Sequence, residues 1–534
     1  MYALSASQMQ GLDAFAIASG LPAMVLMERA ALSMEAALAA VLMPDVVSPF
    51  ASQRRVAIFC GAGNNGGDGL ALARLLNALR WQQAGFRVEV YLQAPFARCS
   101  AENQRQQQIL RAMGVQLTVL TEAMLPIPPL QAQDIAIDAL LGVGLNRDVK
   151  GPLAALLKQL NQWPCWRVAL DLPTGLDTQT GAVLGQAFRA DLTLSCAQFK
   201  YAHVMDNALP YVGRVQQVDI GIPRALVEAY QQKQDTSFVK VLRPDTCAEL
   251  LGHHWPQREP AAHKGAQGKV AVFAGSPGMM GACVLSLQAA LESGPGYLFA
   301  YTHSAIATQV ASILPEVQVN PFPEIEDLET LLKTLDVVLI GPGLGRSDES
   351  LRFCAAVFQA ACATRTPLVV DADGLFALEI WMKNDPAHRL PMGSVVTPHP
   401  GEAAHLLHQK TVTVQTDRLQ ALKSLQQALG VTVVLKGAKT LVATSETDIY
   451  VSDVGNAGLA RGGAGDVLAG LIAGLHPQTQ SAATLGVYWH GVTADHVARH
   501  YTQQGVRIQR LLDHLAEVWA LLCARCACNS LKQR

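Results

Sequence analysis

Twice along this chain, short uninterrupted apolar runs alternate with helix-length stretches, and that pattern constrains the fold more than any other feature. The first series is RRVAIFC (54–60), then 86–92, 115–120, 134–138, 166–171 and 190–196. The second opens at KVAVFAG (269–275) and continues through GYLFAYT, DVVLIG, PLVVDAD, GSVVTP and TVVLKG. A strand written as a continuous apolar run, without alternating polar residues, is covered on both faces, as in a parallel sheet crossed by helices. The expected fold is α/β in two tandem domains, the first a Rossmann-like doubly wound sheet. VDIGIP (218–223) closes the first series, and polar EAYQQKQDTS (228–237) and PDTC (244–247) separate it from the second. The boundary is expected near 225–240, giving domains 1–225 and 236–534, with the helical segment 5–43 in the first.

At 534 residues the chain is too long for one ordinary core. A net charge of −2 argues against recruitment of a nucleic acid by bulk electrostatics and leaves only a local basic patch open. The most apolar early stretch, 21–43, is interrupted by Glu28, Arg29 and Glu35, so it reads as an amphipathic helix, with no membrane partner and a cytoplasmic location expected. The 11 cysteines lie mostly inside apolar runs and read as reduced thiols. The tail CARCAC (Cys523, Cys526, Cys528) lacks the second half of a metal clip, and His496 and His500 lack the adjacent Glu of a zincin helix.

GAGNNGGDG (61–69) lies between a strand and a helix, with Gly61, Gly63 and Gly66 spaced as a dinucleotide fingerprint. Glycines permit positive φ and close backbone approach, and the helix start offers unpaired N–H groups to an anion. Two details depart from the ordinary cofactor loop. Asp68 brings a carboxylate to the helix start, and VEVYLQAP (88–95) has Gln93 where a ribose-binding acid is expected. Asp138 in AIDALLGVGLNRD and Asp171 in ALDLPTGLD follow later strands, at the edge where open α/β sheets hold ligands. Asp138, Asn65 and the Thr174 hydroxyl would make an oxygen-rich set for a hard monovalent or divalent cation. Equally, Asp171 and Asp177 read as residues that organise the Pro173–Gly175 turn.

GAGNNGGDGLALARLL, AIDALLGVGL, ALDLPTGLD, TLSCAQFKYAH with Lys200, and VDIGIP follow one another as in the NAD(P)HX epimerase family, which residues 5–223 resemble. The ligand of that family is the hydrate of NADH or NADPH, with a bound potassium ion (K+). The resemblance implies that Asn64, Asn65, Gly66, Gly67 and Asp68, then Gly142, Val143, Gly144, Leu145, Asn146, Arg147 and Asp148, and Asp171, contact the hydrated dinucleotide. It also implies potassium ligation by Asn65, Asp138 and Thr174. Arg29 stands where relatives often have Asn, and Thr174 replaces a common Ser while keeping the hydroxyl. Inversion at the hydroxylated ring carbon requires hydroxide to leave and return on the other face, and Asp171 is the expected general acid/base.

GNAGLARGGAGDVLAG (455–470) opens a glycine run onto an apolar helix, a setting for a backbone anion hole. Asp466 can there accept the proton of a hydroxyl attacking a phosphoryl group, an arrangement that resembles ribokinase-like phosphotransferases. KGAKT (436–440) ends a strand with two lysines suited to phosphates, GPGLG (341–345) is a strand-end glycine turn, and TPHPGE (397–402) fixes His399 between prolines. With HKGAQGKVAVFAGSPGMMGA (263–282) these are similar to the ADP- or ATP-dependent NAD(P)HX dehydratase family, over roughly residues 240–525. The resemblance implies that Lys436, Gly437, Ala438, Lys439, Thr440 and Gly465 bind the adenine nucleotide. It places Ala282, Gly343, His399 and Asp466 at the hydrated dinucleotide, Asp466 as base, with Mg2+ accompanying ADP. Ala464 stands where the family has Thr, which removes a hydroxyl and leaves the backbone nest.

These expectations combine into a bifunctional enzyme, a homo-oligomer, acting on hydrated NADH or NADPH and on ADP or ATP. Two other readings remain open from the residues alone: a ribokinase-class small-molecule kinase with a nucleotide-sensing N-terminal domain, and a nicotinamide-dependent dehydrogenase built on the first domain.

Overall fold

The computed structural model describes residues 1–43, 54–121, 127–234, 238–251 and 262–532. The chain divides into two compact units, Met1–Phe238 and Val239–Arg534.

The N-terminal unit contains β1 (Tyr2–Leu4), β2 (Arg54–Cys60), β3 (Phe86–Leu92), β4 (Leu117–Val119), β5 (Ile135–Ala139), β6 (Trp166–Leu170), β7 (Leu192–Cys196), β8 (Phe199–Lys200) and β9 (Arg214–Val218). A parallel sheet runs in the order β4-β3-β2-β5-β6-β7-β9. Val56, Ile58 and Ile137 pack into the core on one face of it, while Ala57, Phe59 and Ala136 pack into a second cluster. This two-sided burial explains why β2 and β5 are apolar without alternation. The strand order reverses between β2 and β5, so a crevice opens where the loops 61–63 and 140–148 leave the sheet. The segment 21–43 forms the helix Ala23–Leu42, whose buried Glu35 accepts from Trp81 Nε1 at 2.5 Å. The short strand β1 has no periodicity to read, yet it pairs in parallel with β8, Leu4 opposite Lys200.

The C-terminal unit contains β10 (Val239–Leu242), β11 (Lys269–Phe273), β12 (Tyr297–Thr302), β13 (Gln318–Pro321), β14 (Val337–Ile340), β15 (Leu368–Val370), β16 (Val395–Val396), β17 (Thr432–Leu435), β18 (Leu441–Ala443) and β19 (Ile449–Ser452). The order is β13-β12-β11-β14-β15-β16-β17-β18-β19-β10. The stretch from β13 to β17 is parallel, whereas β17, β18 and β19 are antiparallel. The link 436–440 is too short for a crossover, so β18 must run back along β17. That hairpin was not foreseen from the sequence. Helices Met280–Glu292 and Ala464–Leu475 contribute Cys283, Leu287, Val467 and Leu471 to the core. Among the described residues, no helix is long and apolar enough to cross a membrane.

Candidate active sites

The loop after β2 is built for close approach. A Cβ on Gly61 would lie 1.7 Å from Leu140 O, one on Gly66 2.0 Å from Gly61 O, and one on Gly67 2.4 Å from Met27 Cε. Positive φ, which the sequence allowed as a second reason for these glycines, is not used at any of the three. Asn103, fully buried, donates from Nδ2 to Gly61 O at 2.9 Å and Gly63 O at 3.1 Å and so holds the loop. Helix Asn64–Leu76 begins directly after Gly63 and aims its N-terminus into the crevice.

A cavity of about 720 Å³ opens there, lined by Asn64, Asn65, Asp68, the run from Gly142 to Arg147, and Asp171. Gly66 and Gly67 do not line it; they are buried against Gly61, Asn103 and Met27. Asp148 faces an adjoining cavity of about 740 Å³ and pairs with Lys150 at 3.3 Å.

Asn65, Asp138 and Thr174 come together at the backbone of Leu141. Thr174 Oγ1 donates to Asp138 Oδ1 at 2.8 Å and accepts from Leu141 N at 2.9 Å, while Asn65 Nδ2 donates to Leu141 O at 3.2 Å. Asn65 Oδ1 is buried and has no hydrogen-bond partner. A carboxylate, a hydroxyl, a carbonyl and an orphaned amide oxygen form an all-oxygen donor set that suits a hard cation. Asp177, by contrast, organises a turn, accepting from Gln179 N and Thr180 N.

Asp171 does not belong to that turn. It leaves β6 with φ of 63°, strained for a non-glycine residue, and its Oδ1 accepts from Cys196 N at 3.1 Å and from the Lys200 ammonium. Lys200 is fully buried and also donates to Cys196 O at 2.9 Å and Gln198 O at 3.1 Å. Burial pushes Asp68 well above the carboxylate range, and the negative charge of Asp171 reinforces it. Burial likewise raises Asp13, which lines the same cavity, to about 6. Asp13 escaped the sequence reading because it lies within helix Ala6–Ala18, far from any motif.

In the C-terminal unit, four strand ends meet. Asp371 follows β15, Lys436 follows β17, His399 stands three residues beyond β16, and the 341–345 turn follows β14. Lys436 Nζ lies 2.6 Å from Asp371 Oδ1 and 3.8 Å from Glu402 Oε2. A Cβ on Gly465 would sit 3.4 Å from Lys436 Nζ and 3.7 Å from Asp371 Oδ2, so the glycine nest closes over the pair. Burial alone would lower the Lys436 ammonium; Asp371, Glu402 and Asp466 reverse this and raise it. Burial, helped by Asp371, raises Asp466 to about 6. Burial also raises Glu402 to about 7, against the opposing charge of Lys436.

His399 caps helix Pro400–Leu406: its Nδ1 accepts from Gly401 N at 2.9 Å, and Glu402 returns the contact to His399 N at 2.8 Å. Burial first, then the Lys436 charge, lowers its pKa. Gly343, with φ of 63°, would place a Cβ 3.1 Å from Ala282 Cβ, so these two are neighbours. Arg418, fully buried, donates to the carbonyls of Leu435, Lys436 and Lys439 and shapes the 436–440 loop, while Lys439 Nζ is held by Asp453 at 3.2 Å. Gly463, with φ of 95°, caps helix Ala464–Leu475, and Asp495 anchors Gly455 N and Asn456 Nδ2 upstream.

Asp371 and Glu402 were present in quoted runs without a role; the strand-end position of Asp371 was the available signal. Arg418 and Asp495 had none, since each acts on backbone distant in sequence. His490 is buried and hydrogen-bonded at the Ala464 backbone, and burial lowers it to about 4. His496 lies beside His500 and pairs with Glu517 at 3.5 Å. The CARCAC run falls on Cys526 and Cys528, whose side chains lie outside the described residues.

Two parallel-sheet units, each with a strand-end glycine loop and a buried lysine–aspartate pair, define a two-site α/β enzyme. Residues 23–202 match the family described as YjeF-related protein N-terminus, and residues 270–517 the family described as NAD(P)H-hydrate dehydratase. The chain is 34% identical over 540 residues to the bifunctional NAD(P)H-hydrate repair enzyme Nnr of Moorella thermoacetica, covering 97% of this chain and 96% of that protein. Against the protein of the same name from Coxiella burnetii it is 35% identical, with 95% and 97% covered. The chain belongs to the family of bifunctional NAD(P)H-hydrate repair enzymes, an epimerase joined to a dehydratase. A crystal structure described as ADP/ATP-dependent NAD(P)H-hydrate dehydratase from Bacillus subtilis is 27% identical, with a TM-score of 0.46, covering 53% of this chain and 99% of that one.

Proposed function

We propose that the N-terminal cavity interconverts the R and S forms of hydrated NADH or NADPH, and that the C-terminal site dehydrates the S form using ADP. The observation that carries this reading is the repeated lysine–aspartate pair, Lys200 with Asp171 and Lys436 with Asp371, one beside each glycine loop.

In the N-terminal unit, Asp171 transfers a proton at the ring hydroxyl while Lys200 keeps its carboxylate oriented. Asn64, Asp68 and the 142–148 segment bind the dinucleotide, Asp148 from the adjoining cavity. Potassium would be held by Asn65 Oδ1, Asp138 and Thr174, where it would supply a fixed positive charge under the 142–148 loop. The orphaned Asn65 oxygen supports this.

In the C-terminal unit, Gly465 and the 436–440 loop receive Mg2+-ADP, and Asp466 takes the proton of the ring hydroxyl as that oxygen attacks the β-phosphorus and AMP leaves. The carbon–oxygen bond then breaks with release of phosphate, and loss of a proton from the neighbouring ring carbon restores the double bond. His399, Gly343 and Ala282 flank the dinucleotide. Phosphate is a far better leaving group than hydroxide, which is why a kinase-like site serves a dehydratase.

The test uses two variants of the full chain. Asp466→Asn should abolish ADP-dependent recovery of reduced-nicotinamide absorbance and leave epimerisation intact, and Asp171→Asn should do the reverse. Loss of both activities in either well-folded variant would refute two independent sites.

A further inference from the structure

Asp13, Asp68, Glu102 and Asp171 line the N-terminal cavity together with two cationic residues, Lys200 and Arg147. Asp13 projects from helix Ala6–Ala18, Asp68 from helix Asn64–Leu76, Asp171 from the end of β6 and Lys200 from β8. Lys200 is committed to Asp171 and to the carbonyls of Cys196 and Gln198. Asp13 differs from Asp171: its Oδ1 is buried and has no hydrogen-bond partner. Leaving a buried polar atom unsatisfied costs roughly 1–3 kcal/mol, and the cost is smaller for the neutral carboxyl than for the carboxylate.

Inversion at one carbon involves both faces of the ring. One group must protonate the departing hydroxyl, and another must take the proton of the water that adds on the opposite face. Asp171 meets one of these needs.

We infer that Asp13 is the second proton-transfer residue of the epimerase site, working across the ring from Asp171. The inference rests on the proposed role of Asp171. In one direction the Asp13 carboxyl gives its proton to the ring hydroxyl. The carbon–oxygen bond breaks with its electron pair leaving on water, and the ring nitrogen lone pair forms a carbon–nitrogen double bond. Water then adds to the other face, the double-bond pair returns to nitrogen, and the surplus proton passes to Asp171. Proton exchange with solvent resets the two carboxyls, and the reverse direction exchanges their roles.

The electrostatics agree with the geometry. Burial raises Asp13 to about 6, with Lys200 opposing and Asp171 adding to the rise. Asp68, facing the same space, is also raised, by burial first. A carboxyl that stays partly protonated near neutrality, set beside an ion-paired carboxylate, is the arrangement that divides acid from base.

The test measures interconversion of purified R and S NADH hydrate by chromatography, with full-length protein and no nucleotide. Asp13→Asn should slow kcat by about 100-fold or more, with KM changed less than about threefold, and Asp13→Glu should recover most of the rate. The wild-type pH–rate profile should carry a limb near 6 that Asp13→Asn lacks. An Asp13→Asn rate within threefold of wild type overturns the inference. So does a slow Asp13→Asn with an unchanged pH profile, because that marks a packing role. If Asp171→Asn is also fast, the proposed site itself fails; if Asp171→Asn is slow and Asp13→Asn fast, only Asp13 is misassigned.

Discussion

Lys436 and Asp371 meet at 2.6 Å beside Gly465, and the Asp371 carboxylate belonging to that pair is almost wholly buried. Removing one partner of a buried pair leaves an uncompensated charge, typically at a cost of about 3–5 kcal/mol. In Asp371→Asn, Lys436 keeps Glu402, at 3.8 Å, as its only anionic side-chain partner within 4 Å among the described residues. The ammonium is then expected to move toward Asp466. Dehydratase kcat should fall about 100-fold through misplacement of the base, with a lower calorimetric melting temperature. A rate and melting temperature equal to wild type would show the pair to be idle.

Arg418 occupies the space a side chain at Gly437 would need: a Cβ there would lie 2.3 Å from its Nη2. Because the guanidinium is buried and bound to three carbonyls, the loop must yield instead. Gly437→Ala should raise the KM for ADP by about tenfold, roughly 1.4 kcal/mol of lost binding, and leave epimerisation untouched. Initial rates at varied ADP decide this.

Asp466 is the proposed base, and its carboxyl is raised to about 6. Dehydratase kcat should therefore rise with pH through about 6 and level off above it. Asp371 contributes to that raised value, so Asp371→Asn should move the limb to lower pH. Residual activity in this variant suffices for the profile. A limb that moves upward contradicts the assignment.

At Gly66 a Cβ would strike Gly61 O at 2.0 Å and Asn103 Nδ2 at 2.9 Å. Overpacking of this kind costs about 1–3 kcal/mol. Gly66→Ala should lower the melting temperature of the N-terminal unit by several degrees, at about 2–4 °C per kcal/mol. An unchanged melt would mean the loop moves without cost.

Thr174→Val keeps the side-chain volume and removes the hydroxyl that donates to Asp138. On the proposed potassium site, epimerase activity should then need more potassium for half-maximal rate, and Thr174→Ser should restore the wild-type requirement. Equal potassium curves for all three proteins would separate the cluster from cation binding.

Much of both sites was legible because strand ends are local features. Apolar runs followed by Asp138, Asp171 or Lys436 place those residues at a ligand edge before any coordinate is known. The glycine loops were legible for the same reason, although their physical cause at Gly61, Gly66 and Gly67 is lack of space and not positive φ. The antiparallel return through β18 and β19 was missed because its strands are short and their partners are set by a loop.

By itself the sequence determined the parallel α/β character of the two units and which loops carry glycines and carboxylates, because side-chain period and backbone freedom act over a few residues. Only the tertiary structure decided which charges meet. Lys200 and Asp171 are 29 positions apart, and Lys436 and Asp371 are 65 apart. Asp13 enters its cavity from a helix that precedes every glycine loop. Burial and Coulomb interaction depend on distance in space, and the path of the chain brings these groups together only once the sheets have formed.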